Sequence, residues 1–406
     1  MNNKKIKDYL LNFLTIFFSF FIALIIINFI LIKITPQKFF PRPLAGSLPN
    51  VLLTFYPDTY INKKLNNYVA IIGDSYAQGG GDAYLSGIKD YSIGHHLHRS
   101  DKKNYLLFAR AGYGSISAVS NLIKVHKLSH ISYFIKDINK PSEIFFFFYE
   151  GNDLRDNIVE YKNFIKNNEK INDYTFRRIN ENIKLNNSEK INSFFPILPF
   201  LGEFVKDFEN LFKQIFSKGG FKKIKFLITS RMKKLFGHTI VLDDIPVDNL
   251  RWINSIKNHE NIKNVRPIQG AAIHLSKEEI LLGLEIFFNS VNYIKSWSEN
   301  SKIYIIYLPS LISSYVWNEP IVYYYQSNPD EIKTISNSEN DQNSIFIRNQ
   351  IDKFSKENNL SFLDTSDFVF EKGKSTPLHG PLDYGHFNYQ GYKTVSEFII
   401  KNKISN

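Results

Sequence analysis

Residues 68–75 read Tyr-Val-Ala-Ile-Ile-Gly-Asp-Ser, a short apolar run that breaks at a glycine and delivers a serine. A run without polar alternation is what a strand buried on both faces requires. Four more such runs follow: 105–109 (YLLFA), 144–149 (IFFFFY), 303–308 (IYIIYL) and 361–363 (SFL, before Asp364). Helical patterns lie between them. The clearest, 277–299, opens with Ser276 and Glu279 spaced as a capping box; 342–357 and 389–401 are two more. Strands alternating with helices predict an α/β fold with a five-stranded parallel sheet. Ligands of such sheets bind beyond the carboxyl ends of the strands.

The chain has 406 residues, 50 Lys+Arg against 39 Asp+Glu, and a formal net charge of +11. Apolar residues make up 43%, enough for a sizeable core, which excludes a disordered chain. A mean hydropathy of −0.23 excludes a multi-span membrane protein. Cysteine is absent, so disulfides, thiolate catalysis and Cys-ligated metal sites are ruled out. The abundance of Lys, Asn, Ile and Phe reads as codon bias, so the basic excess identifies no partner.

Residues 9–32 form a run of 24 without a charge. At about 1.5 Å per residue a helix of that length crosses a hydrocarbon layer of about 30 Å. Lys4, Lys5 and Lys7 precede it; Lys33, Lys38 and Arg42 follow. It is longer than the apolar part of a cleaved signal peptide, and no small-residue cleavage site follows at once. The reading is an uncleaved transmembrane anchor with residues 1–8 as a cytoplasmic tail. The rest of the chain then lies outside the cytoplasm, in the periplasm or at the cell surface. Flanking charge is nearly balanced and does not set the orientation; the shortness of the tail does. Residues 33–66 carry five prolines, which suits a stiff, extended linker. Residues 155–270 interrupt the alternation and read as a largely helical insertion. Within it Phe204, Phe208, Leu211, Phe212, Ile215 and Phe216 mark an amphipathic helix, and 221–236 is basic.

Four motifs fall at strand ends or before the last helix. Gly73-Asp74-Ser75 follows the first strand and would expose a serine hydroxyl beside helical N–H groups. Gly112-Tyr113-Gly114-Ser115 follows the second, where glycines let backbone amides approach a ligand. Gly151-Asn152-Asp153 follows the third and offers an amide donor. Asp383-Tyr384-Gly385-His386 precedes the last helix; a carboxylate three residues before a histidine can hold Nδ1 and leave Nε2 outward. Each motif alone is a common turn or cap. Together they supply a nucleophile, a base, an orienting acid and oxyanion donors.

With these blocks in this order, residues 67–154 and 271–402 resemble the SGNH (GDSL-type) esterase and lipase superfamily. The resemblance implies a flavodoxin-like three-layer α/β/α fold and serine acyl transfer without metal or cofactor. It implies Ser75 as nucleophile, His386 as base and Asp383 as acid, with the oxyanion held by the amides of Ser75 and Gly114 and the side chain of Asn152. Arg110-Ala111 stands where the family's glycine block often begins with Asn. That leaves Gly112 or Gly114 as donor, with Gly114 favoured by its place before Ser115. Tyr76 replaces the common Leu and is expected to matter little.

Other residues read as structural. His95, His96 and His98 fit a packed or solvated helix face rather than a metal site. His379 lacks an Asp three residues before it, which disfavours it as the base. Asp74 reads as a turn carboxylate, and the basic aromatic stretch 204–236 as a hairpin or lipid-surface helix, not a nucleic-acid site. The expectation is a membrane-anchored serine esterase acting on O-acyl, foremost acetyl, esters of a cell-envelope or exported glycan. The alternatives are an O-acetyltransferase acting on a glycan, a lipid esterase, and a non-catalytic glycan-binding or assembly protein on the same fold; a membrane acyltransferase is a candidate partner.

Overall fold

The computed structural model describes residues 67–82, 91–131, 138–164, 269–318, 320–324, 332–381 and 383–404. It also describes short pieces at 179–181, 183–184 and 255–257 and six residues between 12 and 23. The tail, the linker, most of the run 9–32, and the amphipathic and basic stretches of the insertion lie outside the described residues.

Seven strands are present among them: β1 (Val69–Ile72), β2 (Tyr105–Leu107), β3 (Glu143–Tyr149), β4 (Lys302–Leu308), β5 (Ile321–Tyr324), β6 (Ile332–Ile335) and β7 (Ser361–Asp364). The helices are α1 (Ser75–Gln78), α2 (Ile93–Asp101), α3 (Ser115–Ile131) and α4 (Asp153–Phe164), then α5 (Lys277–Trp297), α6 (Asn337–Glu357), α7 (Ser366–Gly373) and α8 (Tyr389–Ile404). Five strands form one parallel sheet in the order β2-β1-β3-β4-β7.

The apolar runs are continuous because both faces of this sheet are covered. Along β3, Ile144, Phe146 and Phe148 join one core cluster with residues of α3, α4, α5 and α6. Phe145, Phe147 and Tyr149 join the other, with residues of α1, α2, α7 and α8. Each phenylalanine is at most 1% exposed and contributes about 1.5–3 kcal/mol by burial. The capping box at Ser276 is formed, with its hydroxyl accepting from the Glu279 amide and the Glu279 carboxylate from the Ser276 amide.

Three features depart from the sequence reading. β5 and β6 pair antiparallel as a separate two-stranded sheet, which no alternating pattern announced. The boundary placed at 155 falls inside α4. That helix lies so close to α5 that a Cβ on Gly283 would sit 3.0 Å from the Leu154 carbonyl oxygen, so residues 155–164 belong to the helical layer. Ile256, within the stretch assigned to the insertion, bridges back to Trp317 beside β5. Among the described residues no helix is long and apolar enough to cross a membrane.

Candidate active site

β1 is where the strand order reverses, and the chain leaving it makes a sharp turn. Gly73 has φ +144°, and a Cβ there would lie 2.9 Å from that of Ala77 and 3.1 Å from the Phe147 carbonyl oxygen, so glycine is required. Asp74 caps the one-turn helix α1, its Oδ1 accepting from the Tyr76 amide at 2.9 Å. Ser75 opens that helix half-buried, and the left-handed Gly79 closes it.

His386 approaches from the other end of the chain, 311 residues away, with Nε2 2.8 Å from Ser75 Oγ. Its Nδ1 is 2.7 Å from Asp383 Oδ2. The imidazole and the carboxylate side chains are each 26% exposed, so both are reached by solvent. Asp383 is steadied twice: its Oδ1 accepts from the Gly385 amide, and its own amide donates to Asp82 Oδ1 at 2.6 Å. Burial alone would lower the pKa of His386, but the hydrogen bond and charge of Asp383 outweigh it and hold the imidazole above its ordinary value. Asp383 sits below the usual carboxylate range, because the bond and charge of His386 outweigh its burial.

Gly79-Gly80-Gly81 forms the seat of the histidine. A Cβ on Gly80 would lie 3.0 Å from His386 Cδ2, and one on Gly81 would meet the Phe387 carbonyl oxygen at 2.5 Å. Tyr76, set aside in the sequence reading, stacks on Tyr149 at 3.7 Å, with its ring 5.1 Å from that of His386. It is a buried wall beside the His386 ring.

The donor side is less as expected. The Gly114 amide donates to Glu160 Oε1 at 2.8 Å, and Glu160 Oε2 accepts from the Ser117 amide at 3.2 Å. A backbone N–H is a single donor, so the assignment of Gly114 to the oxyanion is corrected: its hydrogen is already taken. The Ala111 amide is likewise held by Gln78 Oε1 at 2.8 Å. Gly112, exposed and at φ +74°, keeps an amide with no acceptor among the described residues, as does Ser75. Asn152 lies at the end of β3, the strand next to β1, and its Nδ2 donates to Asp156 Oδ2 at 2.7 Å.

The remaining candidates fall where packing puts them. His379 is 2% exposed, with Nδ1 3.2 Å from the Tyr315 hydroxyl, and burial pulls its pKa down to about 3. His95 Nδ1 pairs with the Ser92 hydroxyl, His96 Nδ1 with Arg99, and His98 Nδ1 with the Lys103 carbonyl oxygen.

Three acids, Asp74 at the start of α1 and Asp153 and Glu160 on α4, are withdrawn from water. Burial raises Asp74 to about 6 and Glu160 to about 7, and pushes Asp153 well above the usual range. For Glu160 the folded pKa exceeds its ordinary 4.5, so the folded chain binds the extra proton and stability falls as pH rises between those values. The loss reaches up to about 3 kcal/mol. Glu160→Gln is expected to flatten the decline of unfolding free energy between pH 4.5 and 7.5; an unchanged slope would clear Glu160 of this role.

No model of a known protein family matches the chain, and no curated protein matches it.

Proposed function

We propose that this chain is a membrane-anchored serine esterase that removes O-acyl, foremost acetyl, groups from a cell-envelope or exported glycan. The observation that carries the reading is the continuous line Ser75 Oγ, His386 Nε2, His386 Nδ1 and Asp383 Oδ2, with links of 2.8 and 2.7 Å. The strand order and the two helical layers favour the flavodoxin-like arrangement of the SGNH superfamily. The site carries the same residue types in the same order as the four blocks.

In this mechanism His386 Nε2 takes the Ser75 proton as Oγ attacks the ester carbonyl. Asp383 holds the tautomer that leaves Nε2 free and stabilises the imidazolium. The developing oxyanion is met by the amides of Ser75 and Gly112 and by Asn152 Nδ2. His386 then returns the proton to the departing alcohol oxygen. A water attacks the acyl-enzyme by the same route in reverse.

The test is covalent labelling by a fluorophosphonate, followed by release of acetate from an acetylated oligosaccharide. Labelling at Ser75 with acetate release supports the reading; absence of both removes it. Appearance of acetyl groups on added acceptor glycan instead of free acetate would replace hydrolysis by transfer.

Asn152→Ala is expected to lower kcat by about 10²–10³-fold, roughly 2.7–4 kcal/mol, with KM nearly unchanged, because the bond strengthens only at the tetrahedral stage. A change confined to KM would move Asn152 to substrate binding.

The anchor reading rests on the uncharged run 9–32, in which the described residues are helical and Phe18 and Ile22 are 58% and 54% exposed. A reporter enzyme active only after export, fused behind Asn406, is expected to be active. A well-expressed but silent fusion reverses the orientation.

A further inference from the structure

Asn152 does not behave as a helix cap should. It precedes α4, and its carbonyl oxygen accepts from the Asp156 amide at 2.9 Å, which places it at the cap position. A capping Asn ordinarily turns its side-chain oxygen onto the free amides of the first turn. Here Asn152 Oδ1 is buried with no hydrogen-bond partner among the described residues. The amide is turned the other way, with Nδ2 donating to Asp156 Oδ2 at 2.7 Å. A buried acceptor left unpaired costs free energy, and such an exception calls for a reason.

The reason lies one turn along the helix. Rotating the Asn152 amide by half a turn would bring Oδ1 against the Asp156 carboxylate, oxygen to oxygen. The carboxylate therefore selects one of the two orientations and fixes the amide plane. An amide nitrogen carries two hydrogens; one is spent on Asp156, and the direction of the other is then set. Asp156 is itself clamped. Its Oδ1 accepts from Arg155 Nε at 3.3 Å and Nη2 at 3.2 Å, while Oδ2 faces Asn152. The guanidinium holds the carboxylate in place and offsets a negative charge that would otherwise oppose an oxyanion nearby.

We infer that Asp156 is a positioning residue for the Asn152 oxyanion donor, with Arg155 as its clamp. The inference rests on the esterase reading above and names a residue outside the four sequence motifs. It predicts that Asp156 acts on catalysis through Asn152 and by no other route.

A double-mutant cycle on kcat for a short-chain aryl ester tests this, using Asn152→Ala, Asp156→Ala and the double variant. Asp156→Ala is expected to lower kcat by about 10- to 100-fold with KM nearly unchanged. In the Asn152→Ala background the same change is expected to alter kcat by less than about 2-fold. Asp156→Asn retains an acceptor oxygen and is expected to recover most of the loss. Multiplicative losses in the double variant, or a loss in KM alone, overturn the inference. Where Asp156→Ala fails to fold, the cycle is read with Asp156→Asn, whose smaller effect must likewise vanish without Asn152. A wild-type protein without Ser75-dependent turnover removes the esterase reading itself. Turnover lost on Asn152→Ala but with additive Asp156 effects removes only the role of Asp156.

Discussion

Replacing Ser75 by alanine is expected to lower kcat for a short-chain aryl ester by about 10⁶-fold and to abolish fluorophosphonate labelling, while the chain stays folded. The size follows from the chemistry: without Oγ there is no acyl-enzyme, and the base beside it has nothing to deprotonate. The survival of the fold follows from the surroundings. Among the described residues the Ser75 hydroxyl pairs with the half-buried His386 ring and, at 3.4 Å, with Asp74 Oδ2. Water can take its place at Nε2, so the melting temperature should move by no more than a few degrees. Alanine retaining near-wild-type turnover would mean that another nucleophile does the work.

Asp383→Asn is expected to cost about 10⁴-fold in kcat, almost as informative a loss with far less change in shape. An amide nitrogen facing Nδ1 would donate to it and drive the imidazole proton onto Nε2, where it blocks acceptance of the Ser75 proton. The pH dependence should move as well. The Asp383 charge holds the His386 pKa above its usual value. The charged imidazolium cannot act as base, so wild-type kcat/KM should rise with pH through that raised value. Removing the charge shifts this limb to lower pH. A profile that does not shift, or a loss smaller than about 10-fold, would place the orienting acid elsewhere.

The parts of this architecture that are local were legible in the sequence. IFFFFY at 144–149 announces a strand buried on both faces, and the glycine after each of the first two apolar runs marks where backbone must turn. Ser276 and Glu279 announce a helix start. What stayed hidden depends on contacts between distant residues. Nothing near Gly114 signals that Glu160 occupies its amide, because the partner comes from a later helix. Asp82 supports Asp383 from 301 residues away and carries no motif of its own. Tyr76 looked neutral as a substitution, yet its ring bridges Tyr149 and His386. The β5–β6 pair escaped because its partners are joined by antiparallel backbone pairing, Ile321 with Ile335 and Tyr324 with Ile332, which no alternation of apolar and polar residues marks.

The span between Ser75 and His386 also bears on how the molecule is made. A chain emerging from the ribosome first completes β1 and α1, then β3 and β4, and so can assemble most of its sheet before residue 386 exists. During that interval Ser75 Oγ lacks its hydrogen-bond partner His386 Nε2. Only when the segment before α8 and the first turn of α8 arrive, and Tyr392 donates to the Gly80 carbonyl oxygen at 2.9 Å, does the late segment lock onto the loop that follows Ser75. The closure entropy of so long a loop grows only logarithmically with its length, so the delay costs little stability. Its effect is temporal: on the proposed esterase reading, the chain would acquire reactivity toward esters as one of the last events of its biogenesis.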